Sequence, residues 1–140
     1  MRNDFDAVMV GINTVIRDDP LLDSRLISGK NPIKVIVDST LKISEKAKVL
    51  ADPAKVIIAT TNKAQKSKID RLHQKGVTIL ILKPKQGLVD LKELMKELGK
   101  SDIASVMIEG GAELSGNAIK EGIVDKVMIF AAPKLIGNGL

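Results

Sequence analysis

Cysteine is absent from this 140-residue chain, as are tryptophan and tyrosine. Without cysteine there is no disulfide framework, no thiolate nucleophile and no cysteine-based zinc site. The composition suits a reducing cytosol. Phe5 and Phe130 are the whole aromatic complement, which leaves no platform on which nucleic-acid bases stack. The one histidine, His73, falls on the exposed side of an expected helix, so Ser-His-Asp and His-metal mechanisms lose their key part. No stretch approaches the roughly 20 apolar residues that span a bilayer, and the opening MRNDFD lacks the apolar core of a signal peptide. The chain is expected to be soluble and cytoplasmic, with no membrane partner.

What is present is a sizeable apolar fraction, 44%, and a net charge of +5. The apolar content supports one domain, residues 1–140, without stapling. Clustered lysines would raise nucleic acid as a partner. Here they are scattered: Lys63, Lys66, Lys68, Lys92 and Lys96 are interleaved with polar or acidic residues on expected helix faces. A solvated basic surface is the better reading, with no nucleic-acid partner, and the excess charge helps attract a multiply phosphorylated small molecule.

Apolar runs too short for helices recur at 7–11, 33–39, 55–61, 77–82, 105–110 and 125–132. Their β-branched content and flanking Gly, Pro, Asp and Asn mark strands, and their near-continuous hydrophobicity predicts burial on both faces. Between them, helical spacing appears at 63–76 (Ala64, Ile69, Leu72, ending at Gly76), at 88–99 (Leu91, Leu94, Met95, Leu98, with Asp90 as N-cap) and at 112–122 (Leu114, Ala118, Ile119, ending at Gly122). Met107 and Met128 read as core filler. Strands alternating with helices predict an α/β fold with a mostly parallel central sheet covered on both faces.

Ligands of open α/β sheets collect at the carboxyl ends of strands, and three segments there carry suitable chemistry. In EGGAELSG, Gly110 and Gly111 allow a sharp turn and close backbone approach. The helix that follows offers unpaired N–H groups to a phosphate. Gly-Gly also serves as an ordinary strand-to-helix turn. The segment is neither a Walker A loop nor G-x-G-x-x-G, and Ser115 is not a nucleophile elbow. Glu109 reads either as an acceptor for ligand hydroxyls or as an acid at a helix N-terminus. In GINTVIRDDPLLDSR, read as a loop, Thr14 supplies a hydroxyl, Asp18 and Asp19 precede Pro20, and Arg25 suits bidentate phosphate binding. Asp-Asp-Pro is also a common turn. No His or third acid stands at ligand spacing, so no metal is expected. In VIVDST, Asp38 and Ser39 line a ribose or phosphate, or simply end a strand.

DAVMVGINTVIRDDPLLDSR, NPIKVIVDSTLKI, VMIEGGAELSG and EGIVDKVMIFAAPKLIG, in this order, closely resemble the pyrimidine reductases of riboflavin biosynthesis, whose fold is dihydrofolate-reductase-like. The resemblance covers nearly the whole chain. It implies NADPH-dependent reduction of a ribosylamino-pyrimidine 5′-phosphate, the diaminopyrimidinone or its deaminated uracil analogue, to the ribitylamino form. Thr14, Asp18, Asp38, Ser39 and the turn Gly110, Gly111, Ala112, Glu113, Leu114 and Ser115 match cofactor-contacting positions. Arg2, Leu22, Arg25 and Glu109 match substrate positions. The resemblance assigns no side chain as a nucleophile or acid–base catalyst, and it implies a homodimer. Family members usually carry a further strand with a Ser-Leu-Asp-Gly-Lys-like loop before this region and more strands after A-P-K-L-x-G. The chain therefore reads as a central fragment lacking N- and C-terminal strands, and Asp23 stands where the family commonly has Thr. A noncatalytic dinucleotide- or phosphate-binding module is the alternative reading.

Overall fold

The computed structural model describes residues 4–22 and 31–129. Its elements are β1 (Ala7–Gly11), α1 (Ile12–Asp18), β2 (Ile33–Val37), β3 (Val56–Thr61), α2 (Lys66–Gln74), β4 (Thr78–Leu82), β5 (Pro84–Lys85), β6 (Leu88–Val89), α3 (Leu91–Lys100), β7 (Val106–Ile108) and α4 (Ala112–Lys120). Two 3₁₀ turns, Lys48–Ala51 and Pro53–Lys55, join β2 to β3.

Five strands form one sheet in the order β4-β3-β2-β1-β7, and every pairing is parallel. The chain steps from β1 outward to β4, then returns to add β7 on the far side of β1. Crossovers of constant hand then place the helices of the outward leg on one face and those of the return on the other. The packing agrees. Val15 of α1 and Leu72 of α2 join Val10, Ile36, Val56 and Ile58 in one core. Leu91, Leu94 and Leu98 of α3 and Leu114 and Ala118 of α4 join Met9, Val35, Ile57 and Ala59 in the other. Neighbours Val35 and Ile36, or Ile57 and Ile58, face opposite cores, as the two-residue period of a strand requires.

Several sequence expectations need correction. GINTVIRDD is a helix, not a loop: Asp19 N–H reaches Val15 O at 2.9 Å, and Val15 is its one buried residue. Leu88–Val89, the first two residues of the stretch with helical spacing, form the second strand of an antiparallel hairpin, β5–β6. The helix itself starts as expected after Asp90, whose carboxylate accepts from Lys92 N and Glu93 N. That helix runs through Gly99 to Lys100 and ends where Asp102 adopts φ 60. β4 is an edge strand and leaves Ile81 56% exposed, so it is not buried on both faces. Ile119 lies outside the buried stripe of α4, and Met128 is exposed rather than core. Residues 125–129 form no strand, since they pair with none among the described residues; Phe130 and 131–132 lie outside the described residues. No helix among the described residues is long and apolar enough to cross a membrane.

Candidate functional site

The reversal of strand order falls between β1 and β7, the switch point at which open parallel sheets bind ligands. From β1 the chain enters α1 on one face, and from β7 it enters α4 on the other. The N-termini of both helices therefore flank one crevice. Neither Gly11 before α1 nor Gly111 before α4 supplies a side-chain cap, so the first-turn N–H groups are left for another acceptor. The N-terminus of α3, by contrast, is satisfied by Asp90.

Gly110 and Gly111 hold φ of 74° and 84°, a region costly for other residues. A Cβ on Gly111 would stand 3.4 Å from Thr14 Oγ1, and one on Gly110 would stand 3.7 Å from the same atom. The glycines thus let β7 turn into α4 hard against the first turn of α1. Asn13 Nδ2 donates across the crevice to Glu113 Oε2 at 3.4 Å.

The crevice opens into a groove of about 390 Å³ along the carboxyl rim of the sheet, within the range of small-molecule sites. One wall is Gly11 to Thr14 with Arg17, and the floor includes Val37, Asp38 and Ser39. Another wall is the face of α4 bearing Leu114, Asn117 and Glu121, and the last is the β5–β6 hairpin. Of the residues expected at a cofactor site, Thr14, Asp38, Ser39, Gly111, Ala112, Glu113 and Leu114 line this groove, with Gly110 behind Gly111.

Asp38 is fully buried, and its two oxygens accept from Lys42 N at 2.9 Å and Ile43 N at 2.8 Å. Its carboxylate shapes the loop in which Leu41 adopts φ 57. Ser39 Oγ accepts from Val89 N at 3.0 Å, which leaves its own O–H as a donor. Asp18 and Ser115 do not line the groove. Asp18 is exposed and binds Arg17 at 2.8 and 3.1 Å; that guanidinium holds its carboxyl below the usual range. Ser115 sits one turn into α4, its N–H bonded to Gly111 O.

Of the expected substrate residues, Leu22 is buried in the core beneath α1 with φ 56. Glu109 follows β7 directly, donates its N–H to Met9 O at 2.9 Å and does not line the groove. Arg2 and Arg25 lie outside the described residues. Sequence reasoning passed over Arg17, Lys42, Lys85, Asn117 and Glu121, all on the groove wall. The spacing Leu114, Asn117, Glu121 on one helical face was the available signal for the last two.

The model of the RibD C-terminal domain matches residues 1–140. The chain belongs to the RibD C-terminal domain family. Among curated relatives of this RibD-type chain, the riboflavin biosynthesis protein RibD of Aquifex aeolicus is 39% identical over 142 residues, covering 100% of this chain and 38% of that protein. The 2,5-diamino-6-ribosylamino-4(3H)-pyrimidinone 5′-phosphate reductase of the same organism is 34% identical over 139 residues, covering 99% of this chain and 61% of that one. Acinetobacter baumannii RibD superposes with a TM-score of 0.81 at 32% identity, over 98% of this chain and 37% of the other. This RibD C-terminal domain chain thus spans about two fifths of the RibD proteins it matches. The mostly parallel α/β sheet is that of the RibD reductase structures.

Proposed function

We propose that the protein is a reductase of riboflavin biosynthesis. It uses NADPH to convert 2,5-diamino-6-ribosylamino-4(3H)-pyrimidinone 5′-phosphate, or its deaminated uracil analogue, to the ribitylamino form. The observation that carries the reading is the meeting of Gly110, Gly111 and Thr14 between two uncapped helix N-termini at the switch point. The positive φ of both glycines keeps this turn free of side chains beside Thr14, and its main-chain donors suit a diphosphate.

When bound, the reduced nicotinamide supplies hydride to the sugar carbon of the substrate. The chain's own part is binding and orientation rather than nucleophilic attack. Main-chain N–H groups at Gly111 to Glu113 and the Thr14 hydroxyl hold the diphosphate, and the free O–H of Ser39 addresses a ribose or phosphate oxygen. Lys42 on the groove wall supports NADPH over NADH, because a further phosphate gains from a nearby cation. Arg2, Leu22, Arg25 and Glu109 are assigned to the substrate side on resemblance. A cytoplasmic homodimer belongs to the same proposal, with sedimentation as its check.

Titration with NADPH and NADH, read by the dinucleotide's own fluorescence, and with a dye-labelled oligonucleotide, read by anisotropy, tests the reading. NADPH is expected to bind at least about tenfold more tightly than NADH, a difference of about 1.4 kcal/mol, and the oligonucleotide not at all. NADPH consumption on addition of the ribosylamino-pyrimidine phosphate is then expected. Binding without turnover would favour a noncatalytic dinucleotide module, and no binding would refute the site.

A further inference from the structure

The wall of the groove opposite α1 is not part of the parallel sheet. It is the β5–β6 hairpin, whose turn residues Gln86 and Gly87 take φ of 52° and 81°, both left-handed as a tight two-residue hairpin turn requires. A ribbon with two residues per strand is marginal alone, so its fastenings decide where it stands. Lys63 Nζ donates to Gly87 O at 3.3 Å and Val89 N donates to Ser39 Oγ at 3.0 Å, tying it to the loops after β3 and β2. The third fastening reaches α4: Lys85 Nζ stands 3.4 Å from Glu121 Oε2.

This last contact differs in kind. The Glu121 side chain is only 16% exposed, and its Oε2 is shielded from solvent with no hydrogen-bond partner among the described residues. Among those residues the Lys85 ammonium is the cation paired with that carboxylate, and a mostly buried carboxylate deprived of its cation is costly. Glu121 shares the groove face of α4 with Leu114 and Asn117, about 15 Å along the helix from Gly111 at 1.5 Å per residue. One end of α4 thus faces the anion cradle while the other grips the hairpin.

We propose that Lys85 and Glu121 form an ionic latch, a positioning pair that holds the β5–β6 hairpin against α4 and thereby sets how long a dinucleotide stays in the groove. The latch rests on the reading of the groove given above. Its test uses Lys85→Glu, Glu121→Lys and the double charge swap in the intact protein. Two quantities are measured: amide hydrogen exchange at Leu88 and Val89 without ligand, and the affinity and dissociation rate of NADPH. Each single reversal is expected to speed hairpin exchange and weaken NADPH binding about fivefold, mainly through faster dissociation. The swap is expected to recover both, and KM for NADPH is expected to rise without a matching fall in kcat. Glu121→Gln, close in shape, should move both readouts the same way by less, and serves if a reversal fails to fold. Unchanged single variants, or a swap no better than its parents, would overturn the latch while leaving the groove assignment intact. A wild-type protein that binds no dinucleotide would overturn the groove reading, and the latch's role in retention with it.

Discussion

Gly111 carries two constraints at once, a backbone φ of 84° and a neighbour, Thr14 Oγ1, 3.4 Å from any added Cβ. Gly111→Val is expected to cost about 1–3 kcal/mol of stability by urea denaturation and to weaken NADPH binding more than about tenfold. Gly116 is the control within the same helix: nothing lies within 4 Å of a Cβ there. Gly116→Ala should stabilise by about 0.5–1 kcal/mol with NADPH affinity unchanged. Asp38→Ala strands two N–H groups that its buried carboxylate now serves, and should cost about 2–4 kcal/mol, measured in the same way. Asp6 joins the starts of β1 and β7 through Ser105 Oγ, Ser105 N and Ala104 N. The side-chain bond from Ser105, then the two backbone bonds, lower its pKa. A depressed folded value means the contribution is fully present above the unfolded pKa and lost as pH falls through the folded one. Acid titration of stability should therefore be shallower in Asp6→Asn than in the wild type below about pH 4, and parallel curves would contradict this role.

Among the elements, helix C-termini and long strands were legible, while the start of α2, at Lys66 rather than 63, and the short pieces were not. Asp90 caps α3 as its position suggested, so Asp90→Ala should cost about 1 kcal/mol, seen as a lower thermal midpoint. α2 and α4 stop at the glycines that mark them, with Val77 N bonded to Leu72 O and Ile123 N to Ala118 O. α1 was hidden because seven residues rich in β-branched side chains have low helix propensity; burial of Val15 against the sheet outweighs it. The hairpin was hidden for a similar reason. Pro84–Lys85 and Leu88–Val89 are too short for a period-two pattern, and Gln-Gly is a weaker turn signal than Asn-Gly. The cost of that omission falls on the site, since the hairpin supplies a whole wall of the groove and half of the latch.

Across the whole molecule, the parallel α/β architecture followed from alternating strands and helices, and a groove does lie at the carboxyl rim where a site was expected. Strand order did not, because nothing local in Val106–Ile108 says that it pairs with β1 rather than with β4. That order creates the switch point and brings Thr14 beside Gly111, although the two are far apart in sequence. The most direct measurement is a map of backbone amide shifts during NADPH titration. Amides of Asn13, Thr14, Gly111 and Ala112 are predicted to move first and furthest, with Val77 and Ser105, at the amino ends of β4 and β7, unmoved. Saturable NADPH binding that left the first group still and shifted the second would contradict the account.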